Sequence, residues 1–165
     1  MKIIFLHGLE STPQTSSTAK LIIDNFDNVI VPNYKPQDSY QNIVVNIKSV
    51  IDPNEDYIVI GISMGGFWAL KLTEFTHIKK VILINPALEN GCSKYSEYFE
   101  IDPDVMGSVI VNMDDDVVDN EWNIENYNSR FSFTTFSRGG HRVSNKDQVL
   151  TAIKNTVNFM SYWEP

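Results

Sequence analysis

At 165 residues, with 42 % hydrophobic and 21 % charged side chains, the chain is long enough for one well-buried core and is expected to form a single domain over residues 1–165. Its 13 basic and 21 acidic residues leave a net charge of −8 with no Lys/Arg run, which argues against nucleic acid or an anionic membrane surface as partner. The lone cysteine, Cys92, cannot form an intrachain disulfide, no apolar run nears the roughly 20 residues of a membrane span, and Ile3–Leu6 is too short for a signal-peptide core, so a soluble cytoplasmic protein is expected.

No internal repeat or low-complexity linker divides the chain. Lys2–Leu6 reads as a buried strand running into His7-Gly8-Leu9-Glu10-Ser11-Thr12-Pro13. A helix is expected from Thr15, where Thr15, Ser16 and Ser17 are candidate caps and Ala19, Ile22, Ile23 and Phe26 form an apolar stripe. Asn28–Val31 reads as a short strand stopped by Pro32, and 32–38 as a loop. Ser39–Ile51 has helical spacing in Tyr40, Ile43, Val44, Ile47, Val50 and Ile51, and Asp52-Pro53-Asn54 ends it. Ile58-Val59-Ile60 then forms a β-branched run, followed by Gly61-Ile62-Ser63-Met64-Gly65 and a helical apolar pattern to about Phe75.

Lys80–Ile84 is the next expected strand and delivers Asn85-Pro86-Ala87. Residues 88–106 are polar and aromatic, with one short helix expected around Ser93–Phe99. Ser108–Asn112 reads as a strand leading into Asp114-Asp115-Asp116-Val117-Val118-Asp119, and a short helix fits Asn120–Tyr127. Phe131–Phe136 is expected to be the last strand, ending in Arg138-Gly139-Gly140-His141. A final helix over Asn145–Met160 carries Val149, Leu150, Ile153, Val157 and Met160 on one stripe.

Short strands alternating with helices imply an α/β fold whose parallel sheet is covered on both faces. Ligands of such sheets sit beyond the carboxyl ends of the strands, at the point where strand order reverses. Four segments with chemical potential fall at those ends: His7–Ser11, Ser63, the acidic run and His141.

Gly-x-Ser-x-Gly between a strand and a helix is a nucleophile elbow. The sharp turn strains and exposes the serine, and the glycines admit the close approach of strand and helix. Ser63 needs a base and a group to orient that base. The chain order Ser, then acid, then His suits an α/β-hydrolase triad, with His141 as base and one of Asp114, Asp115, Asp116 and Asp119 as acid, Asp115 favoured. His77 sits where a helix ends beside Lys79 and Lys80, a position that suits the helix dipole better than catalysis. The acidic run lacks the spacing of a calcium loop, and no metal or cofactor is required. The backbone N–H groups of Met64 and Leu9 are the expected oxyanion donors, with His7 bracing their loop and Gly61 and Gly65 supporting the elbow.

These motifs together resemble the YqiA-like esterases, a family of small α/β-hydrolases. The resemblance rests on His7-Gly8-Leu9-Glu10-Ser11-Thr12-Pro13, the elbow Gly61-Ile62-Ser63-Met64-Gly65-Gly66, Asn85-Pro86-Ala87, the acidic run 114–119, and Arg138-Gly139-Gly140-His141-Arg142-Val143, in the family's order along essentially the whole chain. It implies a minimal α/β-hydrolase fold of about six parallel strands with a short cap segment between Asn85 and Gly107, hence an open, shallow pocket. It also implies a Ser63/Asp115/His141 triad, so it selects Asp115 among the four aspartates, and activity on short acyl esters. Three positions depart from the pattern: Asp114 stands in place of glycine, Gly140 in place of asparagine, and Arg142 in place of a small residue. An arginine there is placed to bias the base electrostatically if the two heads are close, or to recognise an acidic substrate group.

The expected activity is that of a serine esterase acting on a small-molecule acyl ester. A histidine base acts only when neutral, so turnover is expected to rise with pH through the range where histidine titrates. A thioesterase or amidase with the same triad, or a non-catalytic ligand- or protein-binding module on a hydrolase scaffold, are the alternatives.

Overall fold

The computed structural model describes residues 1–35, 37–74, 78–89, 95 and 105–161. Its frame is a six-stranded sheet of β1 (Lys2–Leu6), β2 (Val29–Ile30), β3 (Tyr57–Ile62), β4 (Ile78–Ile84), β5 (Gly107–Asn112) and β6 (Ser132–Phe136). The spatial order is β2-β1-β3-β4-β5-β6 and every pairing is parallel. Among the described residues the helices are α1 (Ser17–Ile23), α2 (Tyr40–Lys48), α3 (Met64–Leu72), α4 (Asn120–Tyr127) and α5 (Lys146–Ser161).

The central strands read as continuous apolar runs because both of their faces are covered. Ile3, Phe5, Ile58, Ile60, Ile82 and Ile84 pack on one side with Ala19 and Ile22 of α1 and Val149 and Ile153 of α5. Their neighbours Ile4, Leu6, Val59, Val81 and Leu83 pack on the other with Ile43 and Ile47 of α2, Phe67 and Leu70 of α3, and Tyr127 of α4. Ile60 and Ile82 are fully buried, and each such side chain contributes about 1.5–3 kcal/mol. Every residue of α3 is buried. That explains its missing polar stripe, since a helix with no solvent face needs none. Among the described residues no helix is long and apolar enough to cross a membrane.

The chain leaves β1 for its neighbour β2 and then returns to the opposite side of β1 to lay down β3. The switch point therefore lies between the carboxyl ends of β1 and β3, where Leu6 pairs with Gly61.

Element boundaries move by a few residues from the expected ones, for local reasons. α1 starts at Ser17 because the Ser16 side chain caps it by accepting from the Ala19 N–H. Ser39 caps α2 in the same way through Asn42. The stripe of α2 runs on to Ile51, but Val50 and Ile51 bond three residues back, to Ile47 and Lys48, so the last turn tightens out of the α form. α3 ends similarly at Leu72 rather than Phe75, with Thr73 and Glu74 bonding to Leu70 and Lys71. β2 is two residues long, β4 begins two residues early, at Ile78, and β6 begins at Ser132. The helix expected around Ser93–Phe99 lies outside the described residues, as do His77, Cys92 and most of the expected cap. Tyr95 is described, and its ring packs 5.9 Å from Phe67 and 5.0 Å from Trp68.

Candidate active site

Ser63 is the only residue between β3 and α3, and it takes φ 53° and ψ −123°. A non-glycine residue there stores on the order of 1–3 kcal/mol and persists only when its surroundings hold it. They do so at both backbone groups. The Ser63 N–H donates to the Ile84 carbonyl at 3.0 Å, and its own carbonyl accepts from Gly66 at 2.9 Å and Ala87 at 3.0 Å. The elbow is thus tied to the end of β4 and to Asn85-Pro86-Ala87.

The flanking glycines are explained by contact. A Cβ on Gly61 would lie 2.2 Å from the Gly65 carbonyl oxygen, and one on Gly65 would lie 2.0 Å from the carbonyl oxygen of Leu6 in β1. Both obstacles are backbone and cannot rotate away. Gly65→Ala is therefore expected to destabilise the protein by at least about 2 kcal/mol in chemical denaturation. An unchanged midpoint would show that β1 and α3 are looser than drawn.

The structure brings Ser63, His141 and Asp115 within hydrogen-bonding distance, although they lie in three separate segments of the chain. His141 Nε2 is 3.0 Å from Ser63 Oγ, and His141 Nδ1 is 2.8 Å from Asp115 Oδ2 and 3.1 Å from Oδ1. A carboxylate only accepts, so Nδ1 carries the hydrogen and the Nε2 lone pair faces the serine. The Asp115 side chain is 1 % exposed. Its Oδ1 also accepts from the N–H groups of Val117 at 2.8 Å and Val118 at 2.9 Å. Burial works against its charge, but the hydrogen bond from His141 and those two backbone donors outweigh burial and hold its carboxyl below the usual range.

Two of the other aspartates have separate work. Asp119 caps α4 by accepting from the Trp122 N–H, and Asp114 accepts from the Gly140 N–H at 2.7 Å. Two of the three departures from the resembling family, Asp114 and Gly140, therefore meet. The third, Arg142, turns its guanidinium to Glu10 at 3.3 Å, with both side chains more than 80 % exposed.

Beside the elbow lies the loop after β1. A Cβ on Gly8 would sit 3.3 Å from Ser63 Cβ, so this loop passes directly against the serine. Among the described residues, the Leu9 and Met64 N–H groups have no hydrogen-bond partner. His7 is fully buried, its ring stacked on Tyr34 at 4.2 Å and its Nδ1 donating to the Gly8 carbonyl at 3.0 Å. Tyr34 donates in turn to the His7 carbonyl at 2.6 Å. Burial lowers the proton affinity of His7, which favours a neutral ring that stiffens the loop.

The sequence reading missed an asparagine cradle beneath the site. Asn85, at φ 40° and fully buried, donates to the Gly140 carbonyl at 3.1 Å and accepts from the Asn112 N–H at 2.8 Å. Asn112 donates its own side-chain amide to the same Gly140 carbonyl at 3.0 Å and accepts from Asn145 at 2.9 Å. Asn120 joins through Asn85 and the Asn112 carbonyl, and Asn123 through Pro86 and Asn120. The available signal was position: Asn85 and Asn112 stand at the carboxyl ends of neighbouring strands.

A cavity of about 710 Å³ lies elsewhere, between α5 and strands β4 to β6, lined in part by Lys80, Ser108, Ser132 and Thr134. It touches none of the three clustered residues and holds no nucleophile–base pair, so the carboxyl edge is the better candidate.

The fold is that of the α/β hydrolases. An α/β superfamily hydrolase from Oenococcus oeni superposes with a TM-score of 0.73 at 15 % identity, covering 96 % of this chain and 92 % of that one. An esterase from Pyrococcus furiosus superposes with a TM-score of 0.69 at 15 % identity, covering 99 % of this chain and 82 % of that one. Within this fold the chain belongs to the family described as Uncharacterised protein family (UPF0227), whose profile matches residues 2–103. A UPF0227 protein of Vibrio atlanticus is 32 % identical over 93 residues, a stretch spanning 52 % of this chain and 51 % of that relative.

Proposed function

We propose that the protein is a serine hydrolase that cleaves short-chain carboxylic esters of small molecules through an acyl-enzyme. The observation that carries this reading is the run of contacts from Ser63 Oγ to His141 Nε2 at 3.0 Å and from His141 Nδ1 to Asp115 Oδ2 at 2.8 Å. Ser63 Oγ attacks the ester carbonyl carbon while its proton passes to His141 Nε2. The carbonyl oxygen takes up the negative charge and is held by the Leu9 and Met64 N–H groups, each such donor being worth about 10²–10³-fold in turnover. Collapse of the tetrahedral intermediate breaks the bond to the alcohol oxygen, which leaves with the proton from Nε2. Water then attacks the acyl-enzyme, giving its proton to Nε2, and the second collapse returns that proton to Ser63 and frees the acid. Asp115 stays ionised throughout, keeping hydrogen on Nδ1 and stabilising the imidazolium.

The test is labelling with a fluorophosphonate, which reacts with serines activated in this way, followed by a p-nitrophenyl ester series of increasing chain length. Rapid labelling confined to Ser63, with turnover highest on the shortest acyl chains, is expected. Absent labelling would replace this reading with that of a binding module on a hydrolase scaffold.

A further inference from the structure

The base sits immediately after the most pliable point of its loop. Gly140 adopts φ +61°, and a Cβ placed there would meet nothing within 4 Å. No side chain restrains it, and rotation about its two backbone bonds would swing His141 away from Ser63. What fixes Gly140 is a grip on the peptide plane at each side. The plane after it is held from inside the protein, where the Gly140 carbonyl accepts from the buried Asn85 and Asn112 at 3.1 and 3.0 Å. The plane before it is held from the surface, where the Gly140 N–H donates to Asp114 Oδ1 at 2.7 Å. On the far side of the turn, Val143 is buried at φ 57° and the Ser144 N–H bonds to the Gly139 carbonyl at 2.8 Å. Ser144 thus grips the carbonyl side of the Gly139–Gly140 plane, with its hydroxyl also donating there at 3.1 Å, and Asp114 grips the N–H side, next to the glycine that carries the base.

The geometry points to Asp114 as a positioning residue: it clamps the glycine hinge that carries the base, acting through the backbone without touching Ser63 or His141. Asp115 and Asp114 then divide the task, one orienting the imidazole ring and its neighbour orienting the loop beneath it. Because the contact is an oxygen accepting from a backbone N–H, an amide oxygen in the same place keeps the contact, though without the added strength of the carboxylate charge. The side chain is exposed, so its removal leaves the core untouched.

This assignment rests on the serine hydrolase reading only for its catalytic consequence. The test compares Asp114→Ala and Asp114→Asn with the wild type by two readouts. The first is nuclear magnetic resonance of the Gly140 amide proton and the His141 Nδ1 proton. In D114A the Gly140 amide should lose its downfield shift and exchange protection and the His141 proton should broaden, while in D114N both stay close to wild type. The second is the rate of fluorophosphonate labelling and ester turnover. D114A should be slowed on the order of tenfold to a hundredfold, in kcat far more than in KM, as expected for a misplaced catalytic group. D114N should recover most of that loss. Unchanged resonances in D114A, or a D114N as impaired as D114A, would overturn the proposal. A wild type that does not react with the probe would sink the hydrolase reading instead, and the resonances would still decide whether Asp114 holds the turn.

Discussion

Ser63→Ala is expected to lower ester turnover by about 10⁶-fold, the loss typical of removing the nucleophile of such a unit, and to leave the fold intact. The substitution takes away one hydroxyl, whose hydrogen bond among the described residues is the 3.0 Å approach to His141 Nε2. Everything that holds the elbow is backbone: the Ile84, Gly66 and Ala87 bonds survive any side chain at this position. The residue's strain survives too, because alanine keeps the Cβ that makes φ 53° unfavourable. Ser63→Gly separates the two effects. Glycine relieves about 1–3 kcal/mol of strain and gives back about 0.5–1 kcal/mol in the freedom of the unfolded chain. S63G should therefore melt above S63A, with both inactive towards p-nitrophenyl esters and unlabelled by fluorophosphonate. Residual turnover in S63A at more than about a thousandth of wild type would place the nucleophile elsewhere. Equal melting temperatures would mean that the turn is less strained than its angles imply.

The frame was legible because it is written in buried strands. Ile58-Val59-Ile60 and Val81-Ile82-Leu83 are apolar on both faces, which only a covered parallel sheet tolerates, and α1, α2 and α5 declare themselves by the period of their apolar stripes. Ends were less legible: the last turn of α2 keeps its apolar spacing in Val50 and Ile51 while its hydrogen bonds shorten by one residue. In the candidate site, the residues with unusual chemistry stood out, and chain order together with position at the strand ends led from Ser63 to His141. Residue order could not separate Asp114 from Asp115, because neighbouring carboxylates in a turn look alike. What distinguishes them is where each side chain ends, at the Gly140 N–H or at the His141 ring. The asparagine cradle was harder to read for a different reason. Asn85, Asn112, Asn120 and Asn145 are distant in sequence, chemically bland, and become a unit only when the strand ends meet.

Asp115→Asn is expected to reduce turnover by about 10⁴-fold with little change in how the site is assembled. The reason lies in the two oxygens of the carboxylate, which have different partners. Oδ1 receives the Val117 and Val118 N–H groups, at 2.8 and 2.9 Å, and only an oxygen can fill that place. In the variant the amide oxygen takes it, and the NH₂ falls at the Oδ2 position, 2.8 Å from His141 Nδ1. A donor facing Nδ1 forces the hydrogen onto Nε2, where it points at Ser63 and blocks the proton transfer that attack requires. The same substitution has a stability signature. The Asp115 carboxyl is held below its ordinary value in the folded state, so the stabilisation from its charge is complete above the unfolded-state value of about 4 and is lost as pH falls through the lower folded-state value. Wild type should therefore melt above D115N at pH 7, and the gap should close on acidification below about pH 4. A D115N enzyme within tenfold of wild-type turnover would show that Asp115 does not set the tautomer of His141. A melting gap independent of pH would show that its charge contributes nothing to the fold.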